Sequence, residues 1–136
     1  MTPEMKAYIE SWLIKAKNDL LSAQRLLEIE PAILDTCCFH CQQAIEKYLK
    51  AYLIYNGVNI ERTHNIIFLL NQCAQFDSIF ASIDSKNINA YAVQSRYPDM
   101  NDLPALNEAY DYYNLAIEIE RLIHSKILLS LSDEKQ

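Results

Sequence analysis

His40, Gln43, Lys47 and Lys50 are spaced three, four and three positions apart in the run FHCQQAIEKYLKAYLIYNG. On a helix of 3.6 residues per turn those four side chains share one side. Cys41, Ile45, Tyr48, Leu49, Tyr52 and Leu53 fill the remainder. Such a face offers two cations and two hydrogen-bonding groups, which is chemistry suited to holding an anion. Glu46 and Lys50 form an i, i+4 pair in the favourable order, which reads as a plain helix-stabilising contact. Lys47 has no acidic residue one turn away, so it is the better candidate for an external anion. His40 reads as a solvated side chain.

Two further residues join this set. His64 follows Thr63, a residue suited to capping the next helix. The histidine either hydrogen-bonds the inter-helix turn or faces Lys47 or Lys50 as a site residue. At a helix start the dipole favours its neutral ring. Arg96 stands in Ser95-Arg96-Tyr97-Pro98-Asp99, a turn fixed by Pro98, because proline drives the residue before it out of the helical region. It either pairs with Asp99, Asp102 or a helix C-terminus, or contacts a ligand or partner. The ligand-binding candidates are therefore Gln43, Lys47, Lys50, His64 and Arg96. His124, late in the last helix, offsets the negative dipole end when charged. No residue is assigned a catalytic role.

Cys37, Cys38 and Cys41 crowd into one helix, with Cys73 further on. A metal would need a second segment carrying closely spaced ligands, and the sequence has none. The thiols read as small fillers of a helix–helix contact, with no metal, no cofactor and no disulfide framework.

Long helices must position these residues. The single glycine, Gly57, and four prolines leave little material for tight turns. Trp12, Ala16, Leu20, Ala23 and Leu27 recur every three or four residues and predict a helix over 4–29, ended by Glu30-Pro31. A second helix is expected over 32–56, with Gly57 as its left-handed terminator. A third is expected over 64–76, capped by Thr63. Residues 77–101 are the least regular part, with a short helix expected over 86–94. Asp102 can cap a last helix over 103–131, with Pro104 in its first turn. Ala109, Tyr113, Ala116, Ile119, Ile123 and Ile127 form its stripe, widened by Leu106, Tyr110 and Ile117. Tyr112 falls off that stripe, at a rim.

The chain reads as all-α, an antiparallel four- to five-helix up-and-down bundle. Residues 1–131 form one domain and 132–136 a frayed tail. Helices of 25 residues span about 37 Å, so stripes this broad leave apolar area that a second copy can cover, and a homodimer is expected. No apolar run is long enough to cross a membrane, and the first residues lack a secretory pattern, so a cytoplasmic location is expected. The net charge is −6, concentrated after residue 57. That balance excludes a general pull toward nucleic acid or anionic lipid and leaves only local clusters to contact RNA.

The segments QQAIEKYLKA (42–51), THNI (63–66) and RYPD (96–99), in that order, resemble the HEPN domain family, the higher eukaryote and prokaryote nucleotide-binding domain. AKNDLLSA (16–23) resembles that family's first helix, and the likeness runs from about residue 8 to residue 128. The resemblance implies a small helical bundle, usually homodimeric, that binds a minimal nucleotidyltransferase, as in toxin–antitoxin pairs, or a nucleotide. Other members are metal-independent ribonucleases with an arginine and a following histidine separated by four to six intervening residues. This sequence lacks that spacing, since Arg62 is two residues before His64, Arg121 is three before His124, and Asn101, Asp102 and Leu103 stand where Arg96 would need a histidine. RNA cleavage using His64 with Arg62 or Arg96 is therefore the minority reading, and a nucleotide-binding regulator, lacking any glycine-rich phosphate loop, is the third.

Overall fold

The computed structural model describes residues 1–86, 88 and 103–134. Four α-helices stand among them: α1 (Pro3–Glu28), α2 (Leu34–Tyr55), α3 (Ile66–Ala74) and α4 (Leu106–Glu134). A 3-10 helix at Ser78–Ser82 follows α3. The described residues contain no strand, and the architecture is the expected all-α bundle.

α1 starts where Thr2 Oγ1 accepts a hydrogen bond from the Met5 N–H at 3.0 Å, with Pro3 in the first turn. Ile9, Leu13, Ala16, Leu20, Ala23 and Leu27 alternate four and three apart and are buried, so one stripe faces the core. Trp12 flanks that stripe and is half-buried. The helix stops at Glu28, one residue before the expected end, where Ile29 turns extended ahead of Pro31.

α2 is buried nearly all round, from Cys37 to Ile54, because it packs against α1, α3 and α4 together. It ends at Tyr55. The Gly57 N–H then bonds Ile54 O at 2.9 Å, and the Val58 N–H bonds Leu53 O at 3.0 Å. Gly57 takes φ +84, the left-handed residue that this double closure needs.

α3 begins two residues later than the sequence predicts. Asn65, not Thr63, is the cap, its side chain accepting from the Phe68 N–H. Thr63 Oγ1 instead accepts from the Asn65 N–H at 3.1 Å, folding the turn that delivers the cap. The 3-10 helix, which the sequence reading did not assign, is capped by Asp77 and buries Phe80 with its ring 4.9 Å from that of Tyr52.

Pro104 lies ahead of α4 rather than in its first turn, and the Ala105 N–H bonds Glu108 Oε1 at 3.1 Å. Asp102, the turn 95–99 and all but residues 86 and 88 of the expected helix 86–94 lie outside the described residues. Tyr112 is buried rather than at a rim, and its hydroxyl donates to Lys86 O at 2.7 Å. Leu106 and Tyr110, expected to widen the apolar stripe, are exposed. α4 continues through Glu134, into the stretch expected to be a tail.

Candidate functional site

Because α2 is the central rod, its polar residues meet carboxylates of neighbouring elements. Asp19 of α1 takes two of them. His40 Nδ1 lies 2.9 Å from Asp19 Oδ1, and Lys47 pairs with Asp19 Oδ2. His40 is therefore not simply solvated, and Lys47 is not an unpaired cation. Both readings fail because the acidic partner comes from a helix that adjacency along α2 cannot reveal.

Glu46 holds the second cluster. Its Oε1 lies 3.1 Å from Lys50 Nζ and 2.8 Å from His64 Nδ1. The expected i, i+4 pair is formed, and it is enclosed, the side chains of Glu46 and Lys50 being only 4% and 8% exposed. The Lys50 ammonium also stands 5.8 Å from the centroid of the Trp12 ring. His64 precedes α3 rather than opening it, one residue ahead of the Asn65 cap. Its ring is 72% exposed, with Nδ1 turned to Glu46.

Beside these groups lies a buried polar remainder. Glu46 Oε2 and both amide atoms of Gln42 have no hydrogen-bond partner. Gln42 is fully buried and lies one turn before Glu46, so positions 42, 46 and 50 run as a polar stripe inside the bundle. Gln43, its neighbour, is half-buried.

A third carboxylate, Glu120 of α4, accepts from Lys17 Nζ at 2.8 Å and from the Tyr48 hydroxyl at 3.0 Å. Burial, reinforced by the Glu120 charge, pushes the Tyr48 phenol well above its ordinary range and keeps it a donor. His124 is half-buried with its ring edge-on to Tyr48 and its Nδ1 without a partner, well before the end of α4.

The thiols are all free and buried. Burial raises Cys38 and Cys73 to about 12. The Cys41 thiol hydrogen-bonds Cys37, which lowers Cys37 and raises Cys41. Among the described residues no group of three histidine, cysteine or acidic side chains is placed to hold a metal ion.

Of the sequence candidates, Lys50 and His64 meet on one oxygen of Glu46, while Lys47 belongs to the adjacent Asp19 cluster. Arg96 lies outside the described residues. Sequence reasoning missed Asp19, Gln42 and Glu46 as site residues. The EK pair at 46–47 was a signal for Glu46, whereas nothing along the chain ties Asp19 to positions 40 and 47. Chemically, a carboxylate behind Nδ1 fixes the tautomer that points the other ring nitrogen of His64 outward as an acceptor.

The HEPN domain family's sequence profile matches residues 9–127. An archaeal HEPN homologue of known crystal structure superposes with a TM-score of 0.62 at 26% identity, over 88% of this chain and 97% of that one. No curated protein matches the chain.

Proposed function

This chain belongs to the HEPN domain family, and from that premise we propose that it is a non-catalytic binding module that partners a minimal nucleotidyltransferase. The reading rests above all on the internal pairing of its cations. Lys17, Lys47, Lys50 and His64 each spend their charge or hydrogen bond on Asp19, Glu46 or Glu120. Lys17, Lys47 and His64 reach across to other elements and hold them in register, while Lys50 pairs within α2; the buried Lys50 in particular is costly to divert to a reacting phosphate. The chemistry then belongs to the partner, and this chain supplies faces. Exposed Ile14 and Leu21, one heptad apart on α1, support a second copy packed there as a homodimer.

Co-expression with a minimal nucleotidyltransferase tests the partnership. The two chains are expected to elute together, and separate elution at micromolar concentration refutes it. Light scattering is expected to give twice the 15.8 kDa chain mass. A second reading, ribonuclease action, is favoured by one observation: Glu46 orients an exposed His64 as a general base is oriented. Cleavage of a mixed RNA pool that disappears in His64→Ala would establish that reading and overturn the first.

A further inference from the structure

The outward ridge of α1 is laid out symmetrically about its middle. Ala7, Glu10, Ile14, Asn18, Leu21 and Arg25 recur every three or four residues on the side opposite the buried stripe, and all six are exposed. Ile14 and Leu21 are apolar and 62% and 40% exposed. Glu10 lies four residues before Ile14, and Arg25 lies four residues after Leu21. Neither charge has an ion-pair partner among the described residues. The ridge thus runs acid, apolar, amide, apolar, base, with Asn18 near its centre.

We propose that a second copy of this chain seats its α1 antiparallel on this ridge, Ile14 against the partner's Leu21 and Glu10 against the partner's Arg25. A two-fold axis makes each contact twice. Four apolar side chains then meet around the two Asn18 amides, and an ion pair closes each end. The two ion pairs stand about 22 Å apart, fifteen residues at 1.5 Å each. Helices crossing at about 20° diverge by only about 4 Å at those ends, within reach of an arginine side chain. Charge selects the direction. A parallel pairing would set Glu10 on the partner's Glu10 and Arg25 on the partner's Arg25, and like charges so placed repel. The antiparallel one matches every charge with its opposite. The proposal deepens the homodimer reading and rests on it. Its failure is distinguishable, because the dimer mass does not depend on which ends meet, and co-elution with a nucleotidyltransferase depends on neither.

Sedimentation velocity over a concentration series at low salt reads the dimer Kd. Glu10→Arg and Arg25→Glu are each expected to raise it about tenfold or more, since each turns two attractive pairs into two repulsive ones. Both side chains are exposed, so the thermal midpoint of the monomer should not move. Mixing the two single variants is expected to restore the dimer, and so is the double variant Glu10→Arg/Arg25→Glu, because every facing charge is again opposite. Cross-linking checks the direction independently. With a short bis-maleimide, Asn18→Cys is expected to link two chains, whereas Ala7→Cys is not, the two positions 7 lying about 30 Å apart along an antiparallel pair. The native thiols are buried and leave the added one to react. A monomer at every concentration, single variants with unchanged Kd, a double variant that stays dissociated, or linkage through Ala7→Cys would each overturn the assignment.

Discussion

Lys50→Met removes an ammonium from the most enclosed charge pair described in the bundle while keeping most of the side chain's length. With 8% of Lys50 and 4% of Glu46 exposed, water cannot compensate for the loss. Glu46 keeps its 2.8 Å contact with His64 on Oε1, but its Oε2 has no partner. Breaking a buried pair from one side costs about 3–5 kcal/mol, whereas an exposed i, i+4 pair is worth about 0.3–0.5 kcal/mol. The His64 contact offsets part of the loss, which places the expected cost near the lower end, about 3 kcal/mol. That is a large fraction of the about 5–15 kcal/mol that holds a domain folded. Urea unfolding followed by far-UV circular dichroism should show a lower midpoint at unchanged slope. The double variant Glu46→Leu/Lys50→Met removes both charges and should fall within about 1 kcal/mol of the parent or exceed it. A loss below about 1 kcal/mol in Lys50→Met would refute the reasoning, because only a solvated pair behaves so.

Gln42→Leu should leave stability unchanged or raise it by up to about 2 kcal/mol, since two buried amide atoms without partners are removed; a clear loss in the urea midpoint would mean that the amide is bonded in solution. Asn65→Ala should cost about 1 kcal/mol and Thr63→Ala less, reversing the order expected from sequence; thermal melts of the two variants decide it. Native protein at pH 8 should resist iodoacetamide at all four cysteines, with Cys38 and Cys73 near 12 and every thiol buried; mass spectrometry showing rapid native alkylation at Cys73 would contradict this. Lys126 first, and the Ile79 N–H second, hold the Asp77 carboxyl below its ordinary 3.8. Its contribution is therefore complete above that value and lost as pH falls through the lower folded one, and a carboxyl-carbon titration by nuclear magnetic resonance should move up toward the ordinary range in Lys126→Met, with the Ile79 N–H bond still holding it somewhat low.

The helices were legible because periodicity and punctuation agree. Ile9 through Leu27 repeat at helical spacing, and Gly57 sits where the chain closes left-handed after α2. The α3 cap slipped because Thr63 and Asn65 both accept backbone N–H bonds, and only three dimensions show which bond starts the helix and which makes the turn. Tyr112 was misplaced because its partner, the Lys86 carbonyl, lies 26 residues away. The candidate site was legible as a set of residue types and illegible as a geometry. A polar stripe on a helix normally faces water, and periodicity cannot tell such a helix from one enclosed on several sides. Here α1, α3 and α4 all pack on α2, so Lys50 and Glu46 are carried inward.

That inward turn has a consequence for function. Asp19, Glu46 and Glu120 stand on different helices, and each accepts two donors. Asp19 ties α1 to α2, Glu46 ties α2 to the turn before α3, and Glu120 ties α4 to both α1 and α2. Apolar side chains of similar volume would serve stability as well, but they tolerate sliding by a turn. A lysine or histidine that must meet a particular oxygen does not. His40 and Lys47 of α2 therefore fix register against α1, and a cation that fixes register is withdrawn from ligands. Replacing Asp19 by Asn should weaken the hold on Lys47 and His40 together and loosen α1 from α2, read as a lower urea midpoint.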